Sequence, residues 1–219
     1  MSVLQLALQV LERGKVYELF QIAIGGERGR AWFVREHLRP FSGMRVLDIG
    51  CGPADIRGHL PSDIYYEGID AHAPYIERAR VRFPKDAFRL IPVEEMAHTE
   101  FEGFDLVLAM GVLHHLNDAS AAALFAVAAN ALKPGGRLVT LDPCFVARQN
   151  PLAAALAAMD RGDQVRDRGS YERLVNRDDL VVTTSIHHGL LRIPYTHIVM
   201  ECVRQAAAAS NTARVAAGR

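Results

Sequence analysis

Apolar residues in this chain gather into short dense runs separated by glycine, proline and acidic breaks. Val46, Leu47 and Ile49 make one such run, too continuous for a half-exposed strand, and it reads as a parallel strand buried on both faces. Similar runs at 64–69, 88–91, 104–109 and 137–141 predict four more strands. Between them, residues 74–80 continue as a crossover helix and 119–132 as an alanine-rich helix, which Lys133–Pro134–Gly135–Gly136 stops. Strands alternating with helices predict an α/β fold with a doubly wound, mostly parallel sheet. Two further strands at 181–186 and 194–202 have a short connection that favours antiparallel pairing. The expectation is seven strands with an antiparallel terminal hairpin.

The flanks have a different texture. Residues 3–23 predict one or two helices, Gly25–Gly26 interrupts them, and a helix over 27–38 turns Trp32, Phe33 and Leu38 toward the core. In the carboxyl half, 151–159 is a short helix, 160–170 alternates charges, and Ser170 is placed to cap a helix ending near Val175.

The chemistry concentrates in 46–55, VLDIGCGPAD. A buried strand leads into a glycine turn and a helix start, with Pro53 suited to the first helical turn. Gly50 and Gly52 permit tight turning and close ligand approach, while Asp48 places a carboxylate near the strand's end. A dinucleotide site would have a third glycine where this chain has Asp55, and an acid there sits badly against a pyrophosphate. NAD and FAD are therefore poor ligands for this turn.

This stretch resembles the first motif of class I S-adenosylmethionine (SAM)-dependent methyltransferases. EGIDAHAPYIERAR (67–80), FDLVLAMGVLHHLND (104–118) and LKPGGRLVTLDP (132–143) resemble later motifs of that family, in order. The likeness covers roughly 44–143, and the remainder resembles small bacterial methyltransferases of mostly unassigned substrate. It implies SAM as cofactor, with Asp70 accepting both ribose hydroxyls and Ala71 beside it. Asp48 then orients the glycine loop or meets the SAM ammonium through water. Family members often carry Asp at the adenine contact, but this chain reads Pro92–Val93–Glu94, leaving Val93 as an apolar surface and Glu94 or Glu95 as a displaced acid. Met110, before Gly111, is expected to pack on the cofactor. His114 is the candidate catalytic residue and His115 a loop anchor or cofactor contact; as helix neighbours the two should not share a face. A neutral histidine can remove a proton from a hydroxyl acceptor, and neither a catalytic cysteine nor a metal is required.

The resemblance divides the chain into a helical cover at 1–40, with Tyr17 and Phe20 nearest the cofactor, and a SAM-binding domain at 41–205. A substrate-side insertion lies near 144–178, and 206–219 form a peripheral tail. Asp142, His187, His188, Tyr195 and His197 are further candidates for a substrate pocket, while Arg161 and Arg166 could hold an acidic substrate. Twenty-five basic residues balance 25 acidic ones, so no general attraction to nucleic acid is expected. The three cysteines form neither a secretory pairing pattern nor a zinc motif. No leader or membrane-length apolar stretch is apparent, so a cytoplasmic enzyme without integral membrane association is expected. Methyl transfer to a small-molecule acceptor, oxygen slightly favoured, leads. RNA methylation and non-catalytic SAM-dependent regulation stay open, as does a homodimer.

Overall fold

A computed structural model describes residues 26–159 and 163–206; the expectations for 3–23, Tyr17, Phe20, Arg161 and the tail beyond 206 lie outside the described residues. The strands are β1 (Arg45–Ile49), β2 (Tyr65–Asp70), β3 (Ala87–Leu90), β4 (Phe104–Met110), β5 (Leu132–Phe145), β6 (Arg166–Asp167), β7 (Leu180–His188) and β8 (Thr196–Arg204). Their order is β3-β2-β1-β4-β5-β8-β7, with the two-residue β6 paired separately to β5. The five strands from β3 to β5 are parallel, whereas β8 runs antiparallel to both neighbours. The α/β expectation and its terminal hairpin hold, and the two-residue β6 is an addition to the seven expected strands. Because β1 has β2 on one side and β4 on the other, the chain direction of the crossovers reverses there, and a crevice opens at the strand ends.

Both faces of the sheet are covered. Leu47, Ile49, Val107 and Leu138 face a core shared with α3 (Asp118–Ala131), while Val46, Leu106, Leu108 and Val139 face one shared with α1 (Gly26–Phe33) and α2 (Ala73–Arg82). This explains the unbroken apolar runs, since every residue of such a strand meets protein. In α3, Asn117 caps the start by accepting the Ser120 N–H at 2.9 Å, and Ala121, Ala128, Ala129 and Ala131 are fully buried. Their small side chains let the helix lie close on the sheet.

Several local expectations are corrected. The predicted helix over 27–38 changes at Phe33 into a π turn, Val34–Leu38, closed by Arg39 in the left-handed region, and Trp32 is half-buried while Phe33 and Leu38 are fully buried. Pro53 does not open an α-helix. Ala54 takes φ 58°, and only a 3₁₀ turn at Ile56–His59 follows. The glycine pair at 135–136 lies past the helix, which ends at Ala131; β5 has already begun, and residues 133–136 loop out where its register against β4 shifts. Finally, Ser170 is not a cap acceptor. Asp167 accepts the Ser170 N–H at 2.7 Å and caps α5 (Arg168–Arg173), which follows α4 (Pro151–Ala158).

Candidate active site

The carboxyl ends of β1, β2 and β4 enclose a cleft of about 450 Å³, within the usual size range for small ligands. Asp48, Gly50, Gly52, Asp70, Ala71, Met110 and His115 all line it, so seven of the sequence candidates are brought together. Gly50 and Gly52 adopt φ of 71° and 54°, which glycine tolerates without a Cβ penalty. A side chain on Gly50 would strike Val112 Cγ2 at 2.5 Å, whereas one on Gly52 would meet no atom of the described residues within 4 Å. Gly50 is thus fixed by packing, and Gly52 keeps the cleft wall open.

Asp70 is the hinge between loop and strand. Its Oδ2 accepts the Gly52 N–H at 2.9 Å and its Oδ1 the His72 N–H at 2.8 Å. Those bonds, and not a cap on the following helix, hold it; α2 begins at Ala73 with no side-chain cap. Each carboxylate oxygen retains a further lone pair. Asp48 is almost fully buried and accepts the Tyr66 hydroxyl at 2.5 Å. Burial pushes its carboxyl up to about 7, against the lowering effect of that hydrogen bond, and Asp70's charge adds to the rise.

Residues invisible to motif reading complete the cleft. Ile91 and Met96 border its β3 side, where Val93 opens a 3₁₀ turn, Val93–His98, and Glu95 is exposed. Tyr75, Val112, Leu116 and Arg30 also line it. Arg30 Nη2 donates to Glu27 at 2.8 Å, while its buried Nε has no hydrogen-bond partner among the described residues. Ile91 and Met96 could have been inferred from their place after a strand end. Nothing in sequence spacing announces Arg30, which arrives from α1.

A second cleft of about 400 Å³ adjoins the first, sharing Arg30, Met110, Gly111 and His115 with it. His114, Leu141, Pro143, Leu190, Leu191, Tyr195 and His197 supply the rest of its wall, along with Gly26 and Gly29. His114 and His115 lie on one 3₁₀ turn, Leu113–His115, with ring centroids 4.0 Å apart. The expectation that neighbours diverge, which belongs to α-helices, is corrected: the rings pack together, although His114 is buried and His115 exposed. His114 Nδ1 lies 2.8 Å from Asp142 Oδ1, and the His114 backbone N–H donates to that same oxygen at 3.2 Å. Arg166 fastens the turn, donating to the carbonyls of Leu113 at 2.9 Å and Leu116 at 2.7 Å and to Asp118 at 2.7 Å. Its guanidinium is thereby occupied within the protein, which corrects its reading as a substrate anchor. His187 and His188 are elsewhere: His187 packs its ring on Trp32 and His37, and His188 Nδ1 lies 3.1 Å from the Thr196 hydroxyl.

A family model described as a methyltransferase domain matches residues 46–136, the segment that builds the first cleft. An uncharacterized methyltransferase of Mycobacterium tuberculosis is 29% identical over 135 residues, covering 61% of this chain and 68% of the relative. This is a SAM-dependent methyltransferase, with the family match confined to residues 46–136. A ubiquinone biosynthesis O-methyltransferase of Roseobacter denitrificans is 32% identical over 152 residues, covering 64% of this methyltransferase and 58% of that relative. Among solved structures, geranyl diphosphate methyltransferase in complex with SAM superposes with a TM-score of 0.62 at 18% identity, covering 82% of this chain and 86% of that one. A putative sarcosine dimethylglycine methyltransferase from Galdieria sulphuraria gives 0.65 at 14% identity, with 81% and 86% covered. At these identities the superpositions speak to fold alone.

SAM is the cofactor of this methyltransferase, and the residues present fit it. A diol can donate to the lone pairs that Asp70 keeps, an adenine can lie among Ile69, Ile91 and Met96, and the glycine turn leaves room for a chain to pass. Asp48 and Asp55 offer acidic oxygens to the cationic end. Asp55 also accepts from Arg82 at 2.6 Å, so its carboxylate is already partly neutralised within the protein.

Proposed function

We propose that this methyltransferase methylates a hydroxyl oxygen of a small, largely apolar acceptor, with His114 as the general base. The observation that carries the proposal is the position of His114, held against Asp142 in the wall of the second cleft, which opens onto the first through Met110, Gly111 and His115. In this reading Gly50, Gly52, Asp70 and Ala71 hold the ribose and amino-acid portions of the cofactor, Met110 packs along it, and Val93 stands at the adenine end. The bound donor supplies an electrophilic methyl group on a sulfonium. His114 would take the hydroxyl proton as the acceptor oxygen displaces sulfur from the methyl carbon, the C–S electron pair leaving with sulfur as a neutral thioether, so no alkoxide needs to exist beforehand. Met110 and Gly111, shared by both clefts, set the approach of acceptor to donor, since alignment supplies much of the acceleration in such a transfer.

Leu141, Pro143, Leu190 and Leu191 give the second cleft an apolar lining, with Tyr195 and His197 as polar points whose rings lie 5.0 Å apart. That lining suits an aromatic or other hydrophobic hydroxyl compound. It agrees in kind with the O-methyltransferase named among the relatives. A nucleic-acid acceptor is disfavoured by the net charge of zero. Within the described residues, α1 brings Arg30 to both clefts, as a cover over them would.

Incubating the enzyme with a metabolite extract and isotopically labelled SAM, then locating the label by mass spectrometry, tests the acceptor class. Label on an ether or ester oxygen is expected; label confined to nitrogen or carbon would reject the oxygen assignment. Single-turnover transfer by a folded His114→Ala protein tests the base, with a fall of roughly 100-fold expected from typical general-base contributions.

A further inference from the structure

The structure assigns Asp142 as the residue that fixes the tautomer of His114 and supplies the countercharge to its protonated ring, making it a positioning residue for methyl transfer. This rests on the reading of His114 as a base. Asp142 stands on β5 opposite Ile198 of β8, just before the strand bends past Pro143. It is 1% exposed, on the face that packs under the Leu113–His115 turn. A rigid central strand therefore carries the carboxylate, and the turn is draped onto it.

The hydrogen-bond pattern decides the tautomer. Asp142 Oδ1 accepts the backbone N–H of His114, which marks this oxygen as an acceptor. The 2.8 Å contact to Nδ1 then requires the ring to donate. With the proton on Nδ1, Nε2 is the nitrogen with a lone pair, as a base needs. When the ring takes the acceptor's proton it becomes a cation, and the adjacent carboxylate stabilises that state. The second oxygen, Oδ2, is buried with no hydrogen-bond partner among the described residues. A buried carboxylate with one oxygen unpaired costs stability. It is retained where a charge, rather than a hydrogen bond alone, is useful.

Other charged and titratable groups surround the ring without taking that place. His115 shares the turn; Tyr195 and His197 line the same cleft from the β7–β8 connection and β8, and Arg30 comes from α1. Arg166 is spent on the Leu113 and Leu116 carbonyls and on Asp118, and Tyr171, on α5, donates its hydroxyl to the Pro143 carbonyl at 3.0 Å. Asp142 is a carboxylate bonded to the His114 ring, through Nδ1 at 2.8 Å.

Asp142→Asn separates charge from geometry. The amide oxygen can keep both bonds that Oδ1 now accepts, and the amide nitrogen takes the place of Oδ2. Side-chain ¹⁵N NMR on the protein with S-adenosylhomocysteine, with His114→Gln to assign the signals, reads the tautomer without any acceptor. The expected result is an Nδ1–H ring in the unmutated protein, whose titration falls by about one pH unit or more in Asp142→Asn, the usual effect of losing an adjacent opposite charge. In single turnover with the acceptor from the labelled-donor screen, the rising limb of the pH–rate profile should move to lower pH and the maximal rate drop about 10-fold or more. An Nε2–H ring, or the same titration in both proteins, overturns the assignment. The tautomer is read on the unmutated protein, so a misfolded variant does not block the decision. His114→Ala transferring methyl at the normal rate would instead remove the base itself, and Asp142's part in the chemistry with it.

Discussion

Tyr66 donates its phenolic proton to Asp48 across 2.5 Å, strand to strand, and both groups are buried, with Asp48 at the wall of the cofactor cleft. The other residues around this pair do little to stabilise a charge on it. Asp70 and the Cys51 thiol add no positive charge, and the nearby Arg57 guanidinium is bound to Asp86 at 2.7 Å. The Asp48 carboxyl, pushed up to about 7 by burial, therefore keeps its proton over a range where an unfolded chain, titrating near 4, has lost its own.

The sign follows from linkage. Between about pH 4 and 7 the folded protein binds the extra proton, so stability contributed by this group falls as pH rises. Asp48→Asn should be spared that fall. Its unfolding free energy relative to wild type should rise between pH 5 and pH 8 without cofactor, by an amount on the order of a few kcal/mol at most, as read by denaturation at each pH. A constant pH-independent offset between the two proteins would exclude the linkage.

The two glycines should fail in different ways. Gly50→Ala drives a methyl into Val112 as well as straining a backbone at φ 71°, and should lower stability by about 2–4 kcal/mol. Gly52→Ala meets no atom of the described residues, so strain alone should cost about 1 kcal/mol, with cofactor affinity reduced more than stability. Paired denaturation and calorimetry distinguish these outcomes.

Asp70→Ala releases the Gly52 and His72 N–H groups together with the diol acceptor, and a loss of roughly 10-fold or more in SAM affinity is expected. Glu95→Ala, at an exposed position beyond Val93, should leave affinity within about twofold. Calorimetric titration of both variants would contradict this if the losses were equal.

Arg166→Ala should act on the catalytic turn without touching either cleft. It strands three carbonyls that Arg166 now bonds, those of Leu113, Gln164 and Leu116, and frees the turn carrying His114, so the transfer rate should fall while SAM binding persists. Hydrogen exchange across residues 113–118 should accelerate in parallel. Unchanged exchange with a slowed reaction would point to substrate contact instead.

Much of this architecture was readable because buried parallel strands announce themselves as apolar runs. The same runs located Asp48, Gly50, Asp70 and Met110, which sit at strand ends by construction of the fold. Local backbone detail was not readable in that way. The π turn after Phe33 and the left-handed Ala54 answer to packing from elements far away in sequence. His114 was visible in its motif, but its bond to Asp142 joins positions 28 apart through the β4–β5 register. Arg166 read as a free charge in a polar loop, since only the folded chain brings the Leu113, Gln164 and Leu116 carbonyls and the Asp118 carboxylate around it. Arg30 illustrates the same limit, reaching both clefts from α1, which lies ahead of every strand in the chain.

The antiparallel β8 lies between β5 and β7, bonded to each along seven and nine register positions respectively. During synthesis β5 and β7 both emerge before it, and neither can close the gap without it. Until residue 204 has left the ribosome, β5 offers an open edge in the middle of the eventual sheet, with Leu138, Val139 and Leu141 along it. The nascent chain thus passes through a stage where a foreign strand could take the vacant position. Coexpression with a chaperone, or a slower rate of synthesis at that point, should therefore govern yield more than the stability of the finished enzyme does.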